Sequence, residues 1–200
     1  VYAVDLRGMG KSTYNRSFNS LKELAEDIKD FIDQKFLDNL VVVGWSTGGG
    51  VAMELALSYP EVVDRLVLIC SVSYKGYPIY KKDQQGQPII GEVYETKEEM
   101  AQDIAQVVVP LKAIENKDYE TMAQIWNALI YVHKKPSDED YRAYLDATFD
   151  QRNLIDIDWS LLTFNLEDRI KNLNVPVLAL RGDSDLVVTK DMVEETVEAI

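Results

Sequence analysis

The sequence predicts an α/β fold, a mostly parallel sheet with helices on both faces and a helical insertion ahead of its last strand. Short apolar runs recur at 1–5 (VYAVD), 41–44 (VVVG), 65–70 (RLVLIC) and 175–181 (VPVLALR). Helical periodicity separates the first three, which is the alternation of a parallel sheet built from crossover units. The last run arrives only after residues 71–174, far more than the roughly 2–6 residues that usually join strand to helix in such folds.

Taken in order, the run 1–5 reads as a strand. After a glycine-containing loop, Leu21, Leu24, Ala25, Ile28, Phe31 and Ile32 fall at helical spacing, with Ser20 and Glu23 as a capping box. VVVG at 41–44 reads as a second, buried strand. It leads through a glycine-rich turn into a periodic stretch at 47–59 that Pro60 closes. Residues 65–70 make a third strand. Within the insertion, helices are predicted near 97–108 (capping box Thr96 and Glu99), 119–132, 138–150 (capped by Ser137) and 158–165. Most of the aromatic residues lie there, among them Trp126, Tyr131, Tyr141, Tyr144 and Trp159. Such rings mostly serve packing, so they are expected to form the insertion's own core rather than the roof of an apolar pocket. The domain reading is a core of 1–70 and 175–200 with a helical cap at 71–174.

Composition narrows the function. With 34 Asp and Glu against 21 Lys and Arg, a net charge of −13 and 46% apolar residues, the chain can form one globular domain and is not a disordered one. The acidic excess repels nucleic acid and anionic lipid, and no apolar run approaches the roughly 18–20 residues of a membrane span. The expected partner is a small molecule, with no nucleic acid and no membrane. One histidine, His133, and one cysteine, Cys70, cannot build a His-rich metal site, a zinc ribbon or an internal disulfide framework. No metal or cofactor is expected. The lone Cys70 does not suggest secretion, and the protein is read as cytoplasmic. Because the sequence opens inside an apolar run, without an initiator Met or a targeting segment, it reads as the central portion of a longer protein. Nothing in it speaks to oligomeric state.

Gly44-Trp45-Ser46-Thr47-Gly48 sits between the strand at 41–44 and an amphipathic helix. A serine on a sharp strand-to-helix turn takes strained dihedrals that lift its hydroxyl above the sheet. Small residues two before and two after let neighbouring backbone pass closely. The N–H of Thr47, with the helix N-terminus behind it, then points where a carbonyl oxygen gains charge during acyl transfer. Ser46 is the candidate nucleophile and Thr47 a backbone oxyanion donor. The bland alternative is a glycine-rich turn whose serine only caps the helix.

At this point the chain resembles the α/β-hydrolase family over nearly its whole length. Asp5-Leu6-Arg7-Gly8-Met9-Gly10-Lys11-Ser12 resembles the family's D-x-R-G-x-G-x-S segment after the fourth sheet strand. Gly44 to Gly48 resembles the nucleophile elbow after the fifth, and Arg181-Gly182-Asp183-Ser184-Asp185 the acid turn after the seventh. The insertion falls after the sixth, where family members carry their cap. The resemblance assigns the triad acid to the second aspartate, Asp185, and leaves Asp183 as a turn carboxylate. The acid fixes the tautomer of the catalytic imidazole and stabilises the imidazolium.

The family order is Ser, acid, His, and no histidine follows Asp185 in these residues. The resemblance therefore implies a catalytic His beyond Ile200 and an oxyanion loop upstream of Val1. His133 precedes the acid and reads as an exposed polar residue beside Lys134 and Lys135. The 200 residues alone are expected to be nearly inert, since losing the base of a serine triad costs on the order of 10⁶ in kcat.

Gly10-Lys11-Ser12 also invites a phosphate-binding loop, but Asp5 stands where that motif needs glycine, and its carboxylate would repel phosphate. The reading the sequence favours is a serine hydrolase acting on a small or medium carboxylic ester, lactone or similar acyl compound. Proline-releasing aminopeptidases, thioesterases and carbon–carbon bond hydrolases of the same fold remain alternatives, as does a hydrolase-like binding protein without turnover.

Overall fold

The computed structural model describes all 200 residues. In chain order the helices are α1 (Leu21–Gln34), α2 (Thr47–Ser58), α3 (Lys97–Met100), α4 (Val109–Asn116), α5 (Tyr119–Leu129), α6 (Asp138–Thr148), α7 (Leu154–Thr163) and α8 (Lys190–Ala199). The strands are β1 (Leu40–Trp45), β2 (Val63–Ile69), β3 (Tyr80–Lys82), β4 (Pro88–Val93) and β5 (Val177–Leu180). The chain divides into two compact units. A helical unit holds Val1–Ser17 and Ile79–Asp158, and a sheet unit holds Phe18–Pro78 and Trp159–Ile200.

In the sheet unit, β1, β2 and β5 form a parallel sheet in the order β1-β2-β5. The register aligns Trp45 with Ile69 and Ile69 with Leu180, so the three strands end together and Ser46, Cys70 and Arg181 leave the sheet side by side. The strands carry aliphatic residues on both faces, as parallel strands do when covered on both sides. One face is closed. Gly44, Leu66 and Leu68 are buried, and beside them lie Leu21, Leu24 and Ala25 of α1 and the almost wholly buried run Gly49–Ala56 of α2. The other face is open, with Val43 58%, Trp45 59% and Leu178 54% exposed.

The helical unit has its own apolar cluster of Ala113, Ile114, Met122, Leu145 and Phe149, against which Tyr119, Trp126 and Tyr141 pack. Tyr131 stacks on Trp126 and meets Tyr141 edge-on, so these half-buried rings pack on one another at the margin of that cluster. Tyr144 is exposed. The same unit buries charge. Asp103 accepts from Tyr94 at 2.5 Å, from Lys82 at 3.2 Å and from the N–H groups of Ala105 and Gln106 at 2.9 Å. The Gln106 side chain donates to Asp158 at 3.0 Å, and Asp156 takes Tyr14 at 2.6 Å and Lys97 at 2.5 Å. The 152–153 segment holds the opening loop. Arg152 donates to the carbonyls of Gly10 and Ser12, and Asn153 to that of Arg7.

Several elements differ from expectation. Residues 1–5 form no strand, because no other strand of the chain offers them a ladder. The helix expected at 97–108 breaks after Met100. Asp103 caps a new segment through Ala105 and Gln106, which runs as a π-helix (Ile104–Val108) into α4. Pro110 lies at the junction between this segment and α4. The β3–β4 hairpin was not foreseen, since Lys81, Lys82, Pro88 and Gly91 blur its alternation. Nor was α8, although Thr189 caps it.

Candidate active site

Ser46 follows β1 directly, with φ 51° and ψ −120°. For a residue with a Cβ this is strained backbone, costing on the order of 1–3 kcal/mol and held only by surrounding bonds. Those bonds are present. The Ser46 N–H donates to the Ile69 carbonyl at 3.0 Å, and its own carbonyl accepts from Gly49 at 2.9 Å and Val72 at 3.2 Å. Ser46 occupies the N-cap position of α2, yet its side chain makes no capping hydrogen bond. Plain helix capping therefore does not account for this serine.

Close approach is needed at Gly44, where a Cβ would run into the Gly48 carbonyl and lie 2.6 Å from the Gly49 Cα. The sequence led us to expect the same at Gly48, but a Cβ there meets nothing within 4 Å, because that side of the helix start faces open space. Gly49 is the second tight position, since its Cβ would strike the Ser71 hydroxyl. Thr47 opens α2, so its N–H has no acceptor within the helix and lies at the positive end of the helix dipole. Trp45 sits on the open face of the sheet.

The turn carrying Asp183 and Asp185 leaves β5, two strands across from β1. Asp185 is half-buried, and its Oδ1 accepts from the N–H groups of Val187 and Val188, both at 2.8 Å. Two charge-assisted bonds to backbone fix the carboxylate's orientation. Asp183 is exposed. Between Ser46 and Asp185 stands Cys70, which takes a left-handed φ of 43° and gives its N–H to the Leu180 carbonyl at 2.7 Å. Burial pushes the Cys70 thiol up; the Gly182 N–H pulls it back, and the Asp185 carboxylate adds to the rise. Sequence reading had no signal for this turn at Cys70 beyond its position at a strand end.

His133 is exposed in the segment after α5, within the helical unit. Lys11 gives its backbone N–H to Asp5 at 3.0 Å, so in that loop a carboxylate occupies an amide that a phosphate would need. No set of three or more His, Cys, Asp or Glu residues is placed to hold a metal ion, and no helix is long and apolar enough to cross a membrane. The sheet unit thus presents a strained serine with an adjacent unspent amide and an oriented carboxylate, all at the carboxyl edge of a parallel sheet. That edge is where open α/β sheets place ligands.

Comparison with known proteins gives a family model described as alpha/beta hydrolase fold, matching residues 1–200. The pimeloyl-[acyl-carrier protein] methyl ester esterase of Salmonella agona (strain SL483) is 26% identical over 200 residues, covering 96% of this chain and 68% of that protein. A probable alcohol acetyltransferase of Wickerhamomyces anomalus is 39% identical over 69 residues, 34% of this chain and 20% of that protein. An uncharacterized protein of Mycobacterium tuberculosis matches to the same extent, so the chain's match spans only a fifth of the length of these relatives. Among solved structures, an esterase from Exiguobacterium antarcticum superimposes with a TM-score of 0.70 at 23% identity, covering 98% of this chain and 68% of its own. An enol-lactonase from Burkholderia xenovorans LB400 does so with 0.66 at 18% identity, covering 98% and 67%. At these identities the structural likeness is one of fold.

Proposed function

Because the chain belongs to the alpha/beta hydrolase fold family, we propose that it is the nucleophile- and acid-bearing portion of a serine hydrolase that cleaves a small or medium carboxylic ester or lactone. The observation that carries the reading is Ser46, held at positive φ by bonds to the end of β2 while its hydroxyl is left out of helix capping. Strain is retained at a serine when its hydroxyl has work to do.

In the proposed reaction the Ser46 Oγ bonds to the substrate carbonyl carbon as its proton passes to a histidine of the whole protein, following Ile200 in sequence. Asp185 orients that imidazole and stabilises its charged form. The Thr47 N–H, with a second amide from a segment preceding Val1, holds the oxyanion. Collapse expels the alcohol with the proton from the imidazolium, leaving an acyl-enzyme that water hydrolyses. A cytoplasmic place and a small acyl substrate complete the proposal. The name of the Salmonella esterase supports ester chemistry.

The acetyltransferase match favours a second acceptor, in which an alcohol instead of water takes the acyl group. Both readings share the acyl-enzyme and separate in one assay. The whole protein is incubated with p-nitrophenyl esters of increasing acyl length, with and without ethanol. Hydrolysis predicts free acid throughout, and transfer predicts ethyl ester. Ser46→Ala is expected to abolish p-nitrophenol release, a loss on the order of 10⁶. Retention of activity by that variant would remove the reading.

A further inference from the structure

Three aspartates are buried in the helical unit, Asp103, Asp156 and Asp158, and two of them face a cation. Asp103 accepts from Lys82 of β3 at 3.2 Å, from the Tyr94 hydroxyl at 2.5 Å and from the N–H groups of Ala105 and Gln106 at 2.9 Å. Asp156 pairs with Lys97 of α3 at 2.5 Å and accepts from the Tyr14 hydroxyl at 2.6 Å, and Arg7 bears on the same tyrosine. Asp158 has no lysine or arginine against it. Its one hydrogen bond comes from the Gln106 side chain at 3.0 Å. A buried carboxylate served by a single neutral donor is costly to ionise, because nothing replaces the water it gives up. The arrangement adds to that cost. Gln106 gives its backbone N–H to Asp103 and its side chain to Asp158, so one residue stands between two carboxylates.

Gln106 belongs to the π-helical segment Ile104–Val108, whose bonds run from the Val108 N–H to the Asp103 carbonyl and from the Val109 N–H to that of Ile104. Such wide turns are rare and short. Val107 is the only fully buried residue of the segment, Ile104 is 71% exposed, and Pro110 has no N–H to return to it. Stretches with so little buried apolar surface open at low cost.

We propose that Asp158 and Gln106 form a proton-sensitive latch: a neutral Asp158 holds the π-helical segment to α7, and ionisation of Asp158 releases the segment so that water reaches the carboxylate. The latch lies within the helical unit and does not rest on the serine-hydrolase reading. Neutral, Asp158 keeps an oxygen for the Gln106 donor and sets no charge beside Asp103. Charged, it is better served by water than by one amide. The groups around it do not share in the switch. Burial raises Asp103, but Tyr94, the Gln106 N–H and Lys82 together hold it below its ordinary value, so it stays ionised. Burial and the carboxylates they serve push the Tyr94 and Tyr14 hydroxyls up, far from neutral pH. Burial pushes the Asp158 carboxyl up to about 6, against the Gln106 hydrogen bond and with Asp103 adding to the rise, so release falls between mildly acid and neutral pH.

The test is hydrogen exchange of the whole protein, read by mass spectrometry on peptides spanning 101–109 from pH 5 to pH 8, with rates corrected for the intrinsic pH dependence of exchange. A carboxyl that ionises near 6 when latched and near its ordinary value of about 4 when released makes opening about tenfold more frequent at pH 8 than at pH 5. Asp158→Asn, which keeps an acceptor for Gln106 and never ionises, is expected to hold the segment closed and to abolish that dependence. Peptides of the apolar cluster, 111–116 and 119–129, are expected to stay protected in both proteins. Protection of 101–109 that is independent of pH in the wild type, or that falls equally in Asp158→Asn, overturns the proposal. So does a loss shared by the cluster peptides, which would mean that the unit opens as a whole. If Asp158→Asn does not fold, the carboxyl carbon resonance of Asp158 in the wild type decides. Titration near pH 6 in step with the loss of protection is expected, and ionisation already complete at pH 5 contradicts the latch.

Discussion

The sheet unit buries aliphatic side chains against glycines, whereas the helical unit buries carboxylates. Around β1 and β2 the fully buried residues include Leu21, Leu24, Met53, Leu55, Leu66 and Leu68, and the buried acid Glu54 is matched by Arg169 at 2.9 Å. In the helical unit Asp103, Asp156 and Asp158 are all buried, served by two lysines, two tyrosines and a glutamine. Apolar packing is indifferent to pH and intolerant of volume change, whereas a buried carboxylate network answers to protons. The proposed chemistry lies in the unit whose geometry packing fixes.

This contrast can be broken at its strongest point by comparing the two faces of the sheet. Leu66 is 1% exposed and Leu178 54% exposed, although they belong to neighbouring strands. Leu66→Ala is expected to destabilise the chain by about 2–5 kcal/mol in denaturant unfolding, and Leu178→Ala by no more than about 0.5 kcal/mol. If the whole protein covers the open face, the Leu178 effect rises there toward that of Leu66, and equal small effects in both contexts would mean that face remains open.

A smaller effect separates the two glycines of the elbow. Gly44→Ala forces a Cβ onto Gly48 and Gly49 and is expected to cost about 1–3 kcal/mol with loss of activity, as overpacking does. Gly48→Ala has room and should stay within about 0.5 kcal/mol. Thermal melts of the two variants check the order, and a reversal would show that the strand and helix do not meet at Gly44.

The third expectation concerns the helical unit. Burial pushes the Asp158 carboxyl up to about 6, against a Gln106 hydrogen bond that lowers it, with nearby Asp103 adding to the rise. Because the folded value lies above the unfolded one, its contribution to stability is present below about pH 4 and lost as pH rises through about 6. The loss is at most about 3 kcal/mol. Asp103 acts in the opposite sense. Burial raises it, but Tyr94, the Gln106 N–H and Lys82 together hold it below the ordinary value, so its stabilisation is lost in strong acid. Asp158→Asn is expected to melt higher than wild type at pH 7.5 and to lose the difference between pH 5 and pH 7.5. Parallel melting curves for the two proteins would refute the assignment.

The same contrast decides what could be read from the sequence. The elbow is a local event, since five consecutive residues between an apolar run and a periodic stretch suffice to predict Ser46 on a strand-to-helix turn. The strands at 41–44, 65–70 and 175–181 were legible because apolar residues on both faces leave continuous apolar runs, although one face is open here. The helical unit hid its logic in pairs far apart along the chain. Tyr14 meets Asp156 across 142 residues, and no periodicity announces it. Asp103 looked like an interior residue of one helix, yet its side chain caps the next segment and divides the helix in two. Residues 1–5 carry a strand's composition, but a strand exists only by pairing. Cys70 was legible as a buried strand residue and no more, because its turn is set by partners on both neighbouring strands.

The most direct measurement is fluorophosphonate labelling of the whole protein, read by intact mass and peptide mapping, with Ser46→Ala and Asp185→Asn alongside. A single adduct on Ser46, absent in Ser46→Ala and much slower in Asp185→Asn, is the predicted result. An unlabelled Ser46, or labelling that proceeds at full rate without Asp185, would contradict the claim that these two residues form the reactive pair.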